Sequence, residues 1–228
     1  MPAHLRLLSW NVRDMLGDPL AVHSVLRAAA ADVVLLQEAP RLALSRGRIA
    51  SIARHSGLLF VCGGHASAGT ALLVSLRTEV RRSRAVRLPV AGRVTRPRGY
   101  VCAEIGLPGT GSVLVAGIHL GLTPEERADH LQRIVTDVKA SNLPAVIAGD
   151  LNEPPGGPSW SALKDVVTDP APDGPPTYSA RRPRRRIDAV LASPGLEVSD
   201  YGWPDGVSER DVVLASDHHP VAATVRLP

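Results

Sequence analysis

Cysteine is nearly absent from this chain: Cys62 and Cys102 are the only two in 228 residues. A disulfide-stapled secreted scaffold is therefore excluded. Both sit in apolar, strand-like settings, LLFVCGG and YVCAEI, and are expected to be reduced, buried thiols of a reducing compartment. Aromatic residues make up only 3%, which excludes an extended base-stacking platform. Lysine occurs only at Lys139 and Lys164, so the basic residues are nearly all arginine. No apolar run approaches the roughly 18 residues of a membrane span. The N-terminal MPAHLRLLSWN is too short an apolar stretch for a secretory signal, and the expected location is cytoplasmic. No membrane-inserting amphipathic stretch is visible, so stable membrane association is not expected. No short repeat, low-complexity array or heptad run is present.

What is there suits a globular enzyme. Hydrophobic residues are 44% and charged residues 21%, enough for a sizeable core. With no linker composition anywhere, residues 1–228 read as a single domain, and as a monomer. Net charge is +4, but its placement is uneven. Residues 77–98 hold eight arginines against Glu79, and Arg181–Arg186 (RRPRRR) hold five more. That segregation predicts a positive surface facing a polyanion or phosphate group.

Apolar patterning predicts strands at Leu5–Trp10, Val33–Leu36, Leu58–Val61, Thr70–Val74, Val80–Leu88, Tyr100–Leu107, Val113–Ile118, Ala145–Ala148, Ile187–Ala192 and Val221–Leu227. Helices are predicted from Pro19 to about Ala30 with Asp18 as N-cap, over Leu42–Arg54, from the Thr123-Pro124-Glu125-Glu126 capping pattern, and briefly over Ser159–Lys164. Strand, helix, strand occurs twice, at Leu5–Glu38 and Val113–Asn152. Each half delivers polar residues at its strand ends.

Those ends carry the chemistry. LLSWN ends in Asn11, VVLLQE in Glu38, LVAGIH in His119, and VIAGDLN in Asp150 and Asn152. SDHHP places Asp217, His218 and His219 just before the last strand. Asp188 lies inside the apolar run IDAVLA, and a buried carboxylate needs a partner. In an extended backbone alternate side chains share a face, so Asp150 and Asn152 are expected to point one way and Leu151 the other.

The ordered set SWN, LLQE, GIHL, GDLN, RIDAVLAS and SDHHPV resembles the endonuclease/exonuclease/phosphatase superfamily, the deoxyribonuclease I-like phosphoesterases. The resemblance runs from residue 9 to residue 221. It implies an α/β four-layer sandwich, two packed mixed β-sheets flanked by helices. It also implies a metal at Glu38, with Asn11 and Asp217 beside it. Mg²⁺ is the expected cation and Mn²⁺ its substitute, since hard cations prefer oxygen ligands. By the same resemblance Asp150 orients or deprotonates the attacking water and Asn152 holds a phosphate oxygen. His218 contacts the phosphate with Asp188 fixing its tautomer, and His119 is a second catalytic histidine. Which group is general base and which general acid is left open. One departure stands out: GTALLVS offers no acidic partner for His119.

The function expected is metal-dependent phosphoester hydrolysis, first of nucleic acid phosphodiesters, with a small phosphate ester or phospholipid head group as the alternative and an inactive binding module as the remainder. Arg184, Arg185, Arg186 and Tyr178 are the expected substrate contacts. His4, His23, His55, His65 and His130 are read as surface or loop residues, and Trp160 and Trp203 as packing residues. Ser9 and Trp10 are expected to pack beneath Asn11.

Overall fold

Continuous Val, Leu and Ile runs with no polar alternation demand strands covered on both faces. The computed structural model, which describes residues 3–90 and 96–228, meets that demand with two sheets packed face to face and helices outside. Arg93 of the arginine-rich segment lies outside the described residues. The first half of the chain runs β1 (His4–Asn11), α1 (Pro19–Ala29), β2 (Val33–Gln37), α2 (Ser45–His55), β3 (Leu59–Gly63), β4 (Ala71–Val74) and β5 (Glu79–Arg87). Then follow β6 (Gly99–Gly106), β7 (Ser112–His119), α3 (Pro124–Lys139), β8 (Ala145–Asp150), α4 (Pro158–Leu163), β9 (Asp188–Ala192), β10 (Val198–Gly202), α5 (Glu209–Ala215) and β11 (Val221–Arg226). One sheet has the order β10-β11-β1-β2-β4-β3 and the other β5-β6-β7-β8-β9. Both are mixed: β1–β2 and β7–β8 are parallel and the other pairs antiparallel.

Side-chain alternation divides the apolar residues into layers. Leu5, Leu7, Val33 and Leu35 face Val101, Ala103, Val115 and Val146 between the sheets. Leu8, Trp10, Val34 and Leu36 point outward, under α1, α2 and α5. Tyr100, Ala116, Ile118 and Ile147 pack under α3 and α4. Each fully buried Leu or Val contributes about 1.5–3 kcal/mol. The two strand–helix–strand halves read from the sequence are β1–α1–β2 and β7–α3–β8. Asp18 caps α1 by accepting from the Leu20 N–H at 2.9 Å. Thr123 caps α3 in the same way, accepting from the Glu126 N–H.

Three expectations need correction. The helix expected from Leu42 starts at Ser45, because Leu44 sits in the left-handed region at φ +60° and breaks the helical path. β10 and α5 were not anticipated: β10 is a bulged edge strand, VSDYG, with Ser199 and Asp200 exposed, and α5 has only seven residues. His130 is not a surface residue: it is buried on the inner face of α3, with Nε2 3.1 Å from the Pro89 carbonyl oxygen. The cysteines are free thiols, as expected, but only Cys102 is buried; Cys62 is partly exposed.

Gly149, one residue before the end of β8, has φ +154°, and a Cβ there would collide with the Ile118 carbonyl oxygen of the neighbouring strand. Gly149→Ala is therefore expected to cost about 2 kcal/mol or more. Urea unfolding measures it; an unchanged midpoint would contradict this packing.

Candidate active site

Strand register builds the site. His119, Asp150 and Asp188 are successive cross-strand partners on β7, β8 and β9, so three polar side chains stand in one row at one end of the sheet. Gly99 pairs with His119, which brings Arg98 beside that row. From the other sheet, β1 delivers Asn11, whose Nδ2 donates to Asp150 Oδ2 at 3.1 Å. Glu38 follows β2 directly, at φ +51°. The loop before β11 supplies Asp217 and His218.

Asp188 has no solvent exposure. Its carboxylate meets His218 Nδ1 at 2.9 and 3.2 Å. Its own backbone N–H and that of Ile187 donate to Thr177 Oγ1. Burial alone would strip the His218 imidazolium of its proton. The Asp188 charge and hydrogen bond, then the charges of Asp150 and Asp217, outweigh burial and push its pKa up to about 10. The His218 backbone is pinned as well. Its N–H donates to Ser216 Oγ, which itself donates to the Asn11 carbonyl at 2.6 Å, and the Trp10 indole N–H donates to the His218 carbonyl at 2.9 Å. Tyr178 flanks the imidazole, ring centroids 4.9 Å apart.

Asp150 is buried, 3.9 Å from His218 Nε2 and 3.4 Å from His119 Nε2. Burial first, and the Asp188 charge second, raise its pKa to about 6, against the opposing pull of His218 and of hydrogen bonds from Asn152 and Asn11. His119 has the opposite fate. Burial, then the nearby charges of Arg98 and His218, hold its pKa well below the ordinary value, so it is neutral at neutral pH. Its carboxylate neighbours are Asp150 and, at 4.0 Å, Glu38; no acid comes from the GTALLVS segment, where Thr70 donates to the Gly99 carbonyl instead.

Asn152 departs from the extended alternation expected of it. β8 ends at Asp150, and Asn152 lies in the left-handed region at φ +53°. Its N–H donates to Asp150 Oδ1 at 2.9 Å in a tight Asx turn, and its side-chain Nδ2 donates to the Leu120 carbonyl. Leu151 is buried in the apolar layer under α3 and α4.

Two sets of residues could hold a cation. Asp150, Asp188 and His218 offer atoms within 4.8 Å of one another. An imidazolium whose Nδ1 proton is held by Asp188 is a poor metal ligand, however, because ligation requires the neutral ring. Glu38 suits a hard cation better. It is partly open to solvent and makes no hydrogen bond among the described residues, with Arg98 Nη1 at 3.8 Å and His119 Nε2 at 4.0 Å as its charged neighbours. Asp217 is also open, 3.7 Å from Arg13 Nε, and Asn11 Oδ1 accepts from the Arg13 N–H. All three offer oxygen donors.

The expected arginine contacts divide. Tyr178 and Arg185 pair in a short hairpin through reciprocal backbone hydrogen bonds, and the Ala180 N–H donates to the Asp217 carbonyl at 2.7 Å. Arg184 and Arg185 are exposed on this hairpin, as are Arg181 and Arg182. Arg186 is turned inward and does not reach the site mouth: the chain becomes extended as it enters β9 and alternation reverses its direction. Its guanidinium is bidentate to Asp169 at 2.8 and 2.9 Å and lies over Trp160 and Tyr201. The 77–98 arginines do not make one surface either. Arg77, Arg81 and Arg84 are paired with Asp32, Glu104 and Asp137. Arg98 is the site residue that composition concealed: it reads as one charge of a run, yet it is buried against Glu38. Thr177 carried no sequence signal at all, and Ser216 stood in the SDHHP motif with no role assigned to it.

A deep row of carboxylates and histidines, with a buried arginine, thus lies at one end of a two-sheet α/β sandwich. The profile of the endonuclease/exonuclease/phosphatase family matches residues 8–218, and the chain belongs to that family of phosphoester hydrolases. A family protein from Bacteroides thetaiotaomicron has 19% identity and TM-score 0.80 over 99% of this chain and 98% of its own. An endonuclease/exonuclease/phosphatase from Beutenbergia cavernae has 28% identity and TM-score 0.70 over 98% and 72%. A mannosyl-6-phosphatase of Bacteroides thetaiotaomicron has 20% identity and TM-score 0.74 over 98% and 99%. No curated protein sequence matches the chain.

The pKa directions set a pH profile. Below about 6 Asp150 takes up a proton and ceases to be a base, and above about 10 His218 loses its positive charge. Phosphoester hydrolysis is expected to rise through the first value and fall through the second. Asp188→Asn removes the main support of the imidazolium, so the alkaline limb should move down by at least about one pH unit. An unmoved alkaline limb would contradict the assignment.

Proposed function

We propose that the chain is a divalent-metal-dependent phosphoesterase in which a water molecule, aligned or deprotonated by Asp150, attacks a phosphate ester held by His218 and Asn152. The observation that carries this reading is the fixed ion pair of Asp188 and His218 beside a second buried carboxylate, Asp150, whose pKa is raised towards neutrality. A base of that pKa is ionised at neutral pH and still basic enough to take a proton. The imidazolium donates a charge-assisted hydrogen bond to a phosphate oxygen without any reorientation, because Asp188, Ser216 and Trp10 hold it. Neutral His119 supplies an N–H donor beside Asp150, and Arg98 a fixed positive charge. Glu38, with Asn11 and Asp217 beside it, would hold the cation, Mg²⁺ or in its place Mn²⁺. When bound, such a cation supplies Lewis-acid polarisation of a phosphate oxygen and neutralises developing charge.

For the substrate, nucleic acid phosphodiesters are favoured by the exposed hairpin arginines Arg181, Arg182, Arg184 and Arg185, which can follow a phosphate backbone. A small phosphate ester or a head group is favoured by the ion pairs that absorb Arg77, Arg81, Arg84 and Arg186.

The test is hydrolysis of plasmid DNA and of bis-p-nitrophenyl phosphate side by side, with Mg²⁺ and with a chelator. Activity is expected only with the metal. Asp150→Asn and His218→Ala are each expected to lower kcat by about 100-fold or more with the far-UV spectrum unchanged. Near-normal rates in both variants would overturn the site assignment, and turnover of the small ester without DNA nicking would decide against nucleic acid.

A further inference from the structure

Single exposed leucines are ordinary on a soluble protein. Their distribution here is not. Among the described residues ten large apolar side chains are exposed, and six of them lie in loops or a last helical turn at the end of the sheets that carries the site. Leu16 follows Asn11 in the turn between β1 and α1, and is 73% exposed. Leu42 and Leu44, 71% and 85% exposed, follow Glu38 in the loop before α2. Leu122, 66% exposed, lies three residues beyond His119. Val90 follows Leu88, whose N–H donates to the Arg98 carbonyl. Leu214 lies in the last turn of α5, three residues before Asp217, and its carbonyl accepts from the Asp18 N–H, which joins this turn to the one carrying Leu16.

Cations are interleaved with these side chains. Asp14 accepts from Arg41 at 3.1 Å and from Arg96 at 3.1 Å, tying the loops after β1 and β2 to the one before β6 and holding both guanidinium groups on this face. Arg13 and the hairpin arginines are exposed on the same side, with Asp18 and Glu125 as acidic residues beside them.

We propose that this rim is a docking face for an anionic phospholipid surface. Aliphatic side chains gain from the acyl boundary of a bilayer, and arginines from its anionic head groups. Nucleic acid would use the arginines of the rim but not its leucines, which offer a phosphate backbone no contact and a base neither a hydrogen bond nor a stacking face. A folded protein partner would call for a contiguous apolar core. These leucines stand on separate loops with arginines between them, an arrangement to which a deformable bilayer conforms. The sequence conceals the feature because no amphipathic segment contains it: the loops meet only in the fold. Docking would present head-group phosphates to the site; docking itself does not depend on catalysis.

Sedimentation with sucrose-loaded vesicles tests it directly. The protein is expected to pellet with vesicles of phosphatidylcholine containing about one-third phosphatidylserine, and far less with phosphatidylcholine alone. Leu42→Ser/Leu44→Ser/Leu122→Ser should weaken pelleting about tenfold or more while hydrolysis of bis-p-nitrophenyl phosphate stays unchanged. No pelleting with the anionic vesicles, equal pelleting by the triple variant, or loss of DNA binding rather than vesicle binding in that variant would each overturn the proposal. The readout is binding, so its failure is distinct from failure of the phosphoesterase reading, which the soluble substrate reports.

Discussion

A carboxylate with no access to water sits at the start of β9, and much of the site follows from the need to compensate it. Asp188 cannot remain ionised in that position without a cation and hydrogen-bond donors. His218 supplies the cation, and the backbone around Thr177 is arranged so that the Asp188 N–H is also satisfied. Because the partner must be held, the loop before β11 is fixed at three points, through Ser216, Trp10 and the hairpin carbonyls and amides. That fixing gives the imidazolium its direction. Removing either member would leave the other charge buried and alone, a loss of about 3–5 kcal/mol.

The second consequence is electrostatic. Burial first and the Asp188 charge second raise the proton affinity of Asp150, burial and then the charges of Arg98 and His218 lower that of His119, and at His218 Asp188 outweighs burial. Burial and these charges together separate three neighbouring titratable groups into a weakly basic carboxylate, a cationic imidazole and a neutral imidazole. Under the proposed hydrolysis this distribution would provide a base for water, a cation for the phosphate, and a neutral donor next to the base.

Much of this was legible in the residues, and the limits have physical causes. The strand-end positions of Asn11, Glu38, His119 and Asp150 could be read because long apolar runs end abruptly there, and Asp188 could be read because an ionisable residue interrupts IDAVLA. The direction of Asn152 could not, since a left-handed backbone at that residue cancels the period-two alternation. Arg185 and Arg186 look alike in RRPRRR, yet alternation at the entry to β9 sends one to solvent and the other onto Asp169. Arg98 was hidden for a related reason: its pairing with the site depends on the β6–β7 register, which a charge count does not carry. β10 is a polar, bulged edge strand and α5 a two-turn helix, both below the length at which periodicity is informative. The leucine rim is the extreme case, because it exists only where separate loops converge.

Among the described residues no helix is long and apolar enough to cross a membrane. The central claim is that Asp188 holds His218 as an imidazolium while His119 stays neutral at the same end of the same sheets. Nitrogen-15 NMR titration of the histidine side chains tests it most directly. The account requires the His218 ring to remain doubly protonated through neutral pH and to titrate near 10, and the His119 ring to remain neutral. An His218 ring that titrates at the ordinary value near 6.5 would contradict it.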